Sequence, residues 1–79
     1  MNKCVFIGKI LFIENRENNA EIRIKASEKE ITLFCHENPE LLEKIKKLKV
    51  AQIVTVECIA IEKDFQTQLQ IENFIVNMA

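Results

Sequence analysis

The sequence predicts an all-β domain with one helix, its five strands ordered β-β-β-α-β-β and closed into a Greek-key barrel. Three observations carry this. Five stretches are rich in β-branched and apolar residues, several of them alternating with period two. One stretch between the third and fourth repeats its apolar residues at helical spacing behind an Asn-Pro pair. The first and fourth stretches are apolar on both parities, as strands that bend and change their buried face are.

The elements follow in order. Residues 3–13, KCVFIGKILFI, place Cys4, Phe6, Ile10 and Phe12 on one parity and Val5, Ile7, Leu11 and Ile13 on the other. Gly8 is the only glycine in the chain. A glycine weakens a strand unless the backbone must bend there, so Gly8 is expected to let this strand coil and switch its buried face. Residues 20–26 alternate, with Ile22, Ile24 and Ala26 opposed to Glu21, Arg23 and Lys25. Four polar residues, 27–30, then turn into ITLFC at 31–35, which makes a hairpin. Asn38 caps a helix of roughly ten residues, with Pro39 in its first position and Leu41, Leu42, Ile45 and Leu48 along one face. Its late lysines, Lys44, Lys46, Lys47 and Lys49, suit the negative end of the helix dipole. Residues 52–62 form the fourth strand, residues 63–66 a tight loop, and residues 67–77 the fifth strand. Five strands with the helix between the third and fourth is the connectivity of the OB-fold. The whole chain reads as one such domain.

At 79 residues the chain buries only ~60% of the surface its unfolded form exposes, so it needs extra stabilisation. Its three cysteines, Cys4, Cys35 and Cys58, are an odd number with no leader ahead of them. They are expected to be reduced, buried small hydrophobes in a cytoplasmic protein. Self-association is then the expected source of stability. No apolar run reaches the ~18–20 residues of a membrane helix. Eleven basic residues against twelve acidic ones exclude nucleic-acid binding by bulk charge alone. One His without cysteines at ligand spacing cannot complete a zinc site around Cys35-His36-Glu37. Nothing supplies a base with an oxyanion site, so no metal, cofactor or enzymatic role is expected.

The opening MNKCVFIGKI resembles the start of bacterial single-stranded DNA-binding proteins, which begin Asn-Lys, apolar residues, Gly and a basic or polar residue. ITLFC is similar to that family's third strand, LLEKIKKLKVAQIVTVECIAIEKDF to its helix and fourth strand, and QLQIENFIVN to its fifth. The resemblance spans nearly the whole chain. The chain departs from it in having Lys49-Val50 where the family has Lys-Gly, and in two shortened loops. It also has no Gly/Pro-rich tail or acidic tip ending in Phe, so recruitment of partners through such a tip is not expected. A barrel of this size resembles most the short dimeric offshoot of the family, the primosomal replication protein N (PriB) group, or a minimal binding protein of a phage or mobile element.

The resemblance implies single-stranded DNA as ligand, a role in replication, and a homodimer or homotetramer with the first strand at the contact. It also implies aromatic platforms for bases. Phe34 and Phe65 fall on matching positions, and no aromatic stands at the family's second-strand position. Basic residues along the path would be Arg23 and Lys25 beside Phe34, Lys9 and Lys3 on the first strand, and Lys63 beside Phe65. Phe6, Phe12 and Phe74 read as core or interface. Two alternatives stay open: an OB-fold protein–protein interaction module that has lost nucleic-acid binding, and an RNA-binding protein.

Overall fold

The computed structural model describes residues 3–78; Asn2 of the opening motif lies outside them. Its elements are β1 (Lys3–Asn15), β2 (Asn19–Ala26), β3 (Lys29–His36), α1 (Pro39–Ile45), β4 (Ile53–Lys63) and β5 (Gln66–Met78). The sheet closes in the order β1-β2-β3-β5-β4. Neighbours are antiparallel except β3 and β5, which run parallel. This is the five-stranded OB-fold barrel.

Closure depends on β1, which pairs with β4 over Lys3–Lys9 and with β2 over Lys9–Asn15. Gly8 stands just before the hand-over. A Cβ there would lie 2.6 Å from the Lys25 carbonyl oxygen and 3.2 Å from Ile24 Cδ1. No side chain fits that close to backbone, and the Gly8 φ is not left-handed. The glycine is therefore needed for the close approach of β2, not for a special conformation. The change of buried face, expected at Gly8, occurs at Leu11. There the β1–β2 register slips by one residue, passing from the pair Ile10–Ile24 to Phe12–Arg23. This bulge resets the alternation. Ile10 and Ile13 both face inward, Ile10 fully buried, while Phe12 faces out and is 37% exposed. Phe12 is thus not in the core, whereas Phe6 and Phe74 pack against it.

Both hairpin turns are shorter than the polar stretches that mark them. Ala26 pairs with Lys29, so only Ser27 and Glu28 turn, and Lys29 and Glu30 extend β3. Lys63 pairs with Gln66 around Asp64 and Phe65. The helix begins as expected, with the Asn38 side chain accepting a hydrogen bond from the Leu41 N–H at 3.1 Å. It is seven residues long rather than ten. Past Ile45 the N–H groups of Lys47 and Leu48 donate to the carbonyls three residues back, tightening the last turn. That turn still buries Leu48 with Leu41, Leu42 and Ile45 in the barrel core, beside Ile10, Ile22, Ile24, Leu33, Val54, Val56 and Ile71. Cys35 and Cys58 are buried there too, but Cys4, at the start of β1, is only half-buried. No helix among the described residues is long and apolar enough to cross a membrane.

Candidate nucleic-acid interface

The outward residues of β1, β2 and β3 form rows across the sheet. Lys9 lies beside Lys25 and then Glu30; Phe12 beside Arg23 and then Thr32; Glu14 beside Glu21 and then Phe34. At the end of β3, His36 pairs with Asn19. Alternation places these side chains on the outer surface, apart from the inward Ile22, Ile24, Leu33 and Cys35.

Two aromatic groupings result. The Arg23 guanidinium sits 5.2 Å from the centroid of the Phe12 ring, a cation–π contact. Another neighbour is the Glu21 carboxylate at 3.7 Å, a pair in which Arg23 is exposed and Glu21 mostly covered. Phe34 and His36, two residues apart on one face of β3, stack with centroids 6.0 Å apart and planes 10° apart. The His36 Nε2 is buried without a hydrogen-bond partner, as is Gln68 Oε1 on β5. Phe34 also faces Gln70 of β5 across the parallel junction.

Phe65 is placed differently. It occupies the tip of the β4–β5 turn, is 105% exposed, and has φ 63° following Asp64 at φ 51°. Two successive left-handed residues make a turn usually built as Asn-Gly or Asp-Gly; Asp64 suits its first position, and a residue other than glycine in the second, here Phe65, costs roughly 1–2 kcal/mol. A phenyl ring held in such a conformation and wholly in solvent contributes nothing to the core.

The structure therefore brings Lys9, Lys25, Arg23 and Phe34 onto one surface and adds Phe12 and His36 to it. Lys3, Lys63 and Phe65 lie on the β4–β5 flank. Lys3 pairs with Ile59, which pairs with Gln70, so the path around the barrel wall from Lys3 to Phe34 crosses three strand spacings, roughly 14 Å. Phe65 is roughly 16 Å along β5 from Gln70. All three are exposed. Phe12 escaped the sequence reading because a bulge leaves no signature in apolar alternation. His36 had a signal: it shares Phe34's parity, one residue past the expected end of that strand.

Charge is divided along the face. Arg23, Lys25 and Lys9 occupy one half, with the single carboxylate of Glu30 beside Lys25. Glu14 and Glu21 occupy the other, where Arg16 is engaged by Glu14 at 2.9 Å, by Glu21 at 4.0 Å and by the Asn19 side-chain oxygen at 3.0 Å. Next to this acidic half, a groove of about 310 Å3 between the β1–β2 loop and α1 is lined by Glu17, Glu37 and Glu43 against Lys46 alone. Its charge repels phosphate. No cluster of three His, Cys, Asp or Glu side chains among the described residues could hold a metal ion.

No protein-family model matches the sequence, and no curated protein sequence does. Its fold is shared with several solved structures. Asparaginyl-tRNA synthetase from Pyrococcus horikoshii is 21% identical with a TM-score of 0.80, over 99% of this chain and 20% of that one. A chain of a replication protein A heterotrimer bound to single-stranded DNA is 8% identical with a TM-score of 0.75, over 100% and 60%. The mitochondrial single-stranded DNA-binding protein of S. cerevisiae is 12% identical with a TM-score of 0.79, over 98% and 96%. The chain thus spans less than two thirds of the first two and nearly all of the third. Likeness at these identities defines the class: the protein is an OB-fold barrel.

Proposed function

We propose that the protein is a non-enzymatic single-stranded DNA-binding protein, similar to the bacterial family and its PriB-like members, acting in replication or in maintenance of a phage or mobile element. The observation that carries this is the juxtaposition of Phe12–Arg23 and Phe34–His36 on the outer face of β1–β3. OB-folds bind oligonucleotides on their second and third strands and the loops flanking them. Bases would stack on Phe34 and Phe12, and Phe65 would hold a further base at the β4–β5 turn. Arg23, Lys25 and Lys9 would neutralise phosphates, with Lys63 and Lys3 extending the path along β4. Three free thiols fit a reducing cytoplasm.

Affinity per barrel is modest at this charge, and self-association would raise it by multivalency. Val5 and Ile7 on β1 and Ile75 on β5 are each at least 60% exposed. Ile7 and Ile75 flank Thr55 of β4, making one apolar strip suited to a second copy.

Fluorescence anisotropy with labelled oligo-dT at two salt concentrations tests the reading. Binding should weaken as salt rises, and Phe34→Ala or Phe12→Ala should each cost about 5- to 150-fold in Kd, the equivalent of ~1–3 kcal/mol per stacked base. Absence of binding at low salt and high protein concentration overturns it. The same strip and the acidic half of the face favour the second reading, an OB-fold protein–protein interaction module. That reading expects a stable oligomer or complex without oligonucleotide binding. Oligo-U in parallel with oligo-dT separates an RNA-binding protein from a DNA-binding one.

A further inference from the structure

Cys4 and Cys58 are direct register partners on the antiparallel strands β1 and β4. Such partners have Cα atoms about 4.5–5.5 Å apart, inside the 4.4–6.8 Å window that a disulfide bridges. Both side chains point to the barrel interior, Cys58 fully buried and Cys4 half-buried. The Cys58 sulfur is turned toward β1, with Sγ 3.6 Å from the Cys4 carbonyl oxygen. The third thiol, Cys35, is buried on β3, where its partner is Ala20. From three cysteines, one pairing is thus geometrically prepared.

We infer that Cys4 and Cys58 form a reversible redox pair whose disulfide staples the start of β1 to β4. The inference is independent of any nucleic-acid ligand. Its chemistry is thiol–disulfide exchange with a low-molecular-weight disulfide such as oxidised glutathione. The Cys4 thiolate, reachable from solvent, attacks the oxidant, forming a mixed disulfide and releasing one glutathione thiolate. The Cys58 thiolate then attacks the Cys4 sulfur, forming the Cys4–Cys58 bond and expelling the second glutathione. The pair loses two electrons and two protons, and the oxidant leaves as two thiols. Burial and the neighbouring Cys4 thiol push the Cys58 thiol up to about 11, so this second step is slow at neutral pH and accelerates as pH rises.

The test uses the full chain in buffers of varied reduced-to-oxidised glutathione ratio, quenched with an alkylating agent and read by peptide mass mapping. The expected product carries no crosslink between chains and is lighter by two hydrogens, with Cys4 joined to Cys58 and Cys35 alkylated after unfolding. It should melt about 10 °C higher than the reduced protein, a difference abolished by dithiothreitol. Cys35→Ala should retain the crosslink, and Cys4→Ser should abolish it while leaving the fold intact by circular dichroism. Absence of the linkage in fully oxidised glutathione at pH 8.5 in the folded wild type would overturn the inference. So would a bond formed only in denaturant or only between chains.

Discussion

Leu11 takes the extra position in β1, and that one residue sends Phe12 to the outer face beside Arg23. Strict alternation counts Phe12 with Ile10, so the sequence reading groups it with Phe6 and Phe74 as core or interface, and the bulge is what turns it out of the core. Left-handed positions were equally hidden. Ser27, Glu37, Ala51, Asp64 and Phe65 all have positive φ, and none is the glycine that would announce it. Ala51, at φ 80°, closes the turn between α1 and β4, its N–H bonded to the Ile10 carbonyl at 2.8 Å. Ala51→Gly should relieve about 1 kcal/mol of strain and raise Tm by about 4–8 °C in a thermal melt, whereas an unchanged or lower Tm would count against strain there. Cys58 gives a second prediction, under reducing conditions. Its thiol is raised from 9.0 to about 11, mainly by burial. The folded state then holds a proton that the unfolded chain gives up, so stability is full below pH 9 and falls as pH rises through about 11. Denaturant titrations should show a loss approaching ~1.4 kcal/mol per pH unit in this window, shallower in Cys58→Val.

At the scale of elements, strand order and helix position were legible because each rests on local signals: alternation, the Asn38-Pro39 start and the polar turns. Where β1 bends was not, because it depends on which strand crosses it. Gly8 marks that crossing, where β2 passes close enough for the Lys25 carbonyl to occupy the space of a side chain. The notion of a flexible residue in a curved strand gives way to a contact between two backbones. The two ideas predict different outcomes for the smallest substitution. A methyl group scarcely alters extended backbone, yet it would collide with the Lys25 carbonyl and force β1 away from β2. Gly8→Ala should therefore lower stability by about 2–3 kcal/mol, seen as a Tm loss of at least about 8 °C by circular dichroism. A loss within about 2 °C would mean that the crossing yields easily. Any loss of oligonucleotide binding in this variant should track the unfolded fraction.

Across the whole molecule, a net charge of −1 conceals a face with two unlike halves. Only pairing of the strands reveals it: Arg23, Lys25 and Lys9 gather toward one end of the sheet, and Glu14 and Glu21 toward the other. The acidic half borders Phe34, so a nucleic-acid strand stacked on that ring would meet Glu21, which is only 19% exposed and lies 3.7 Å from Arg23. Glu21 would act on such binding in two ways. Its charge repels phosphate, and it competes for the guanidinium that would otherwise contact the backbone. Glu21→Gln removes both effects while keeping the side chain's shape beside Phe34. Oligo-dT affinity should rise about 3- to 10-fold at low salt, with the gain shrinking as salt screens the removed repulsion. The slope of log K against log salt should steepen by up to about 0.7, the value for one further phosphate neutralised on a single strand. Anisotropy titrations at four salt concentrations measure both quantities. Unchanged affinity with an unchanged slope would place the nucleic acid away from Phe34, leaving Phe12, Lys9 and Lys25 as its path.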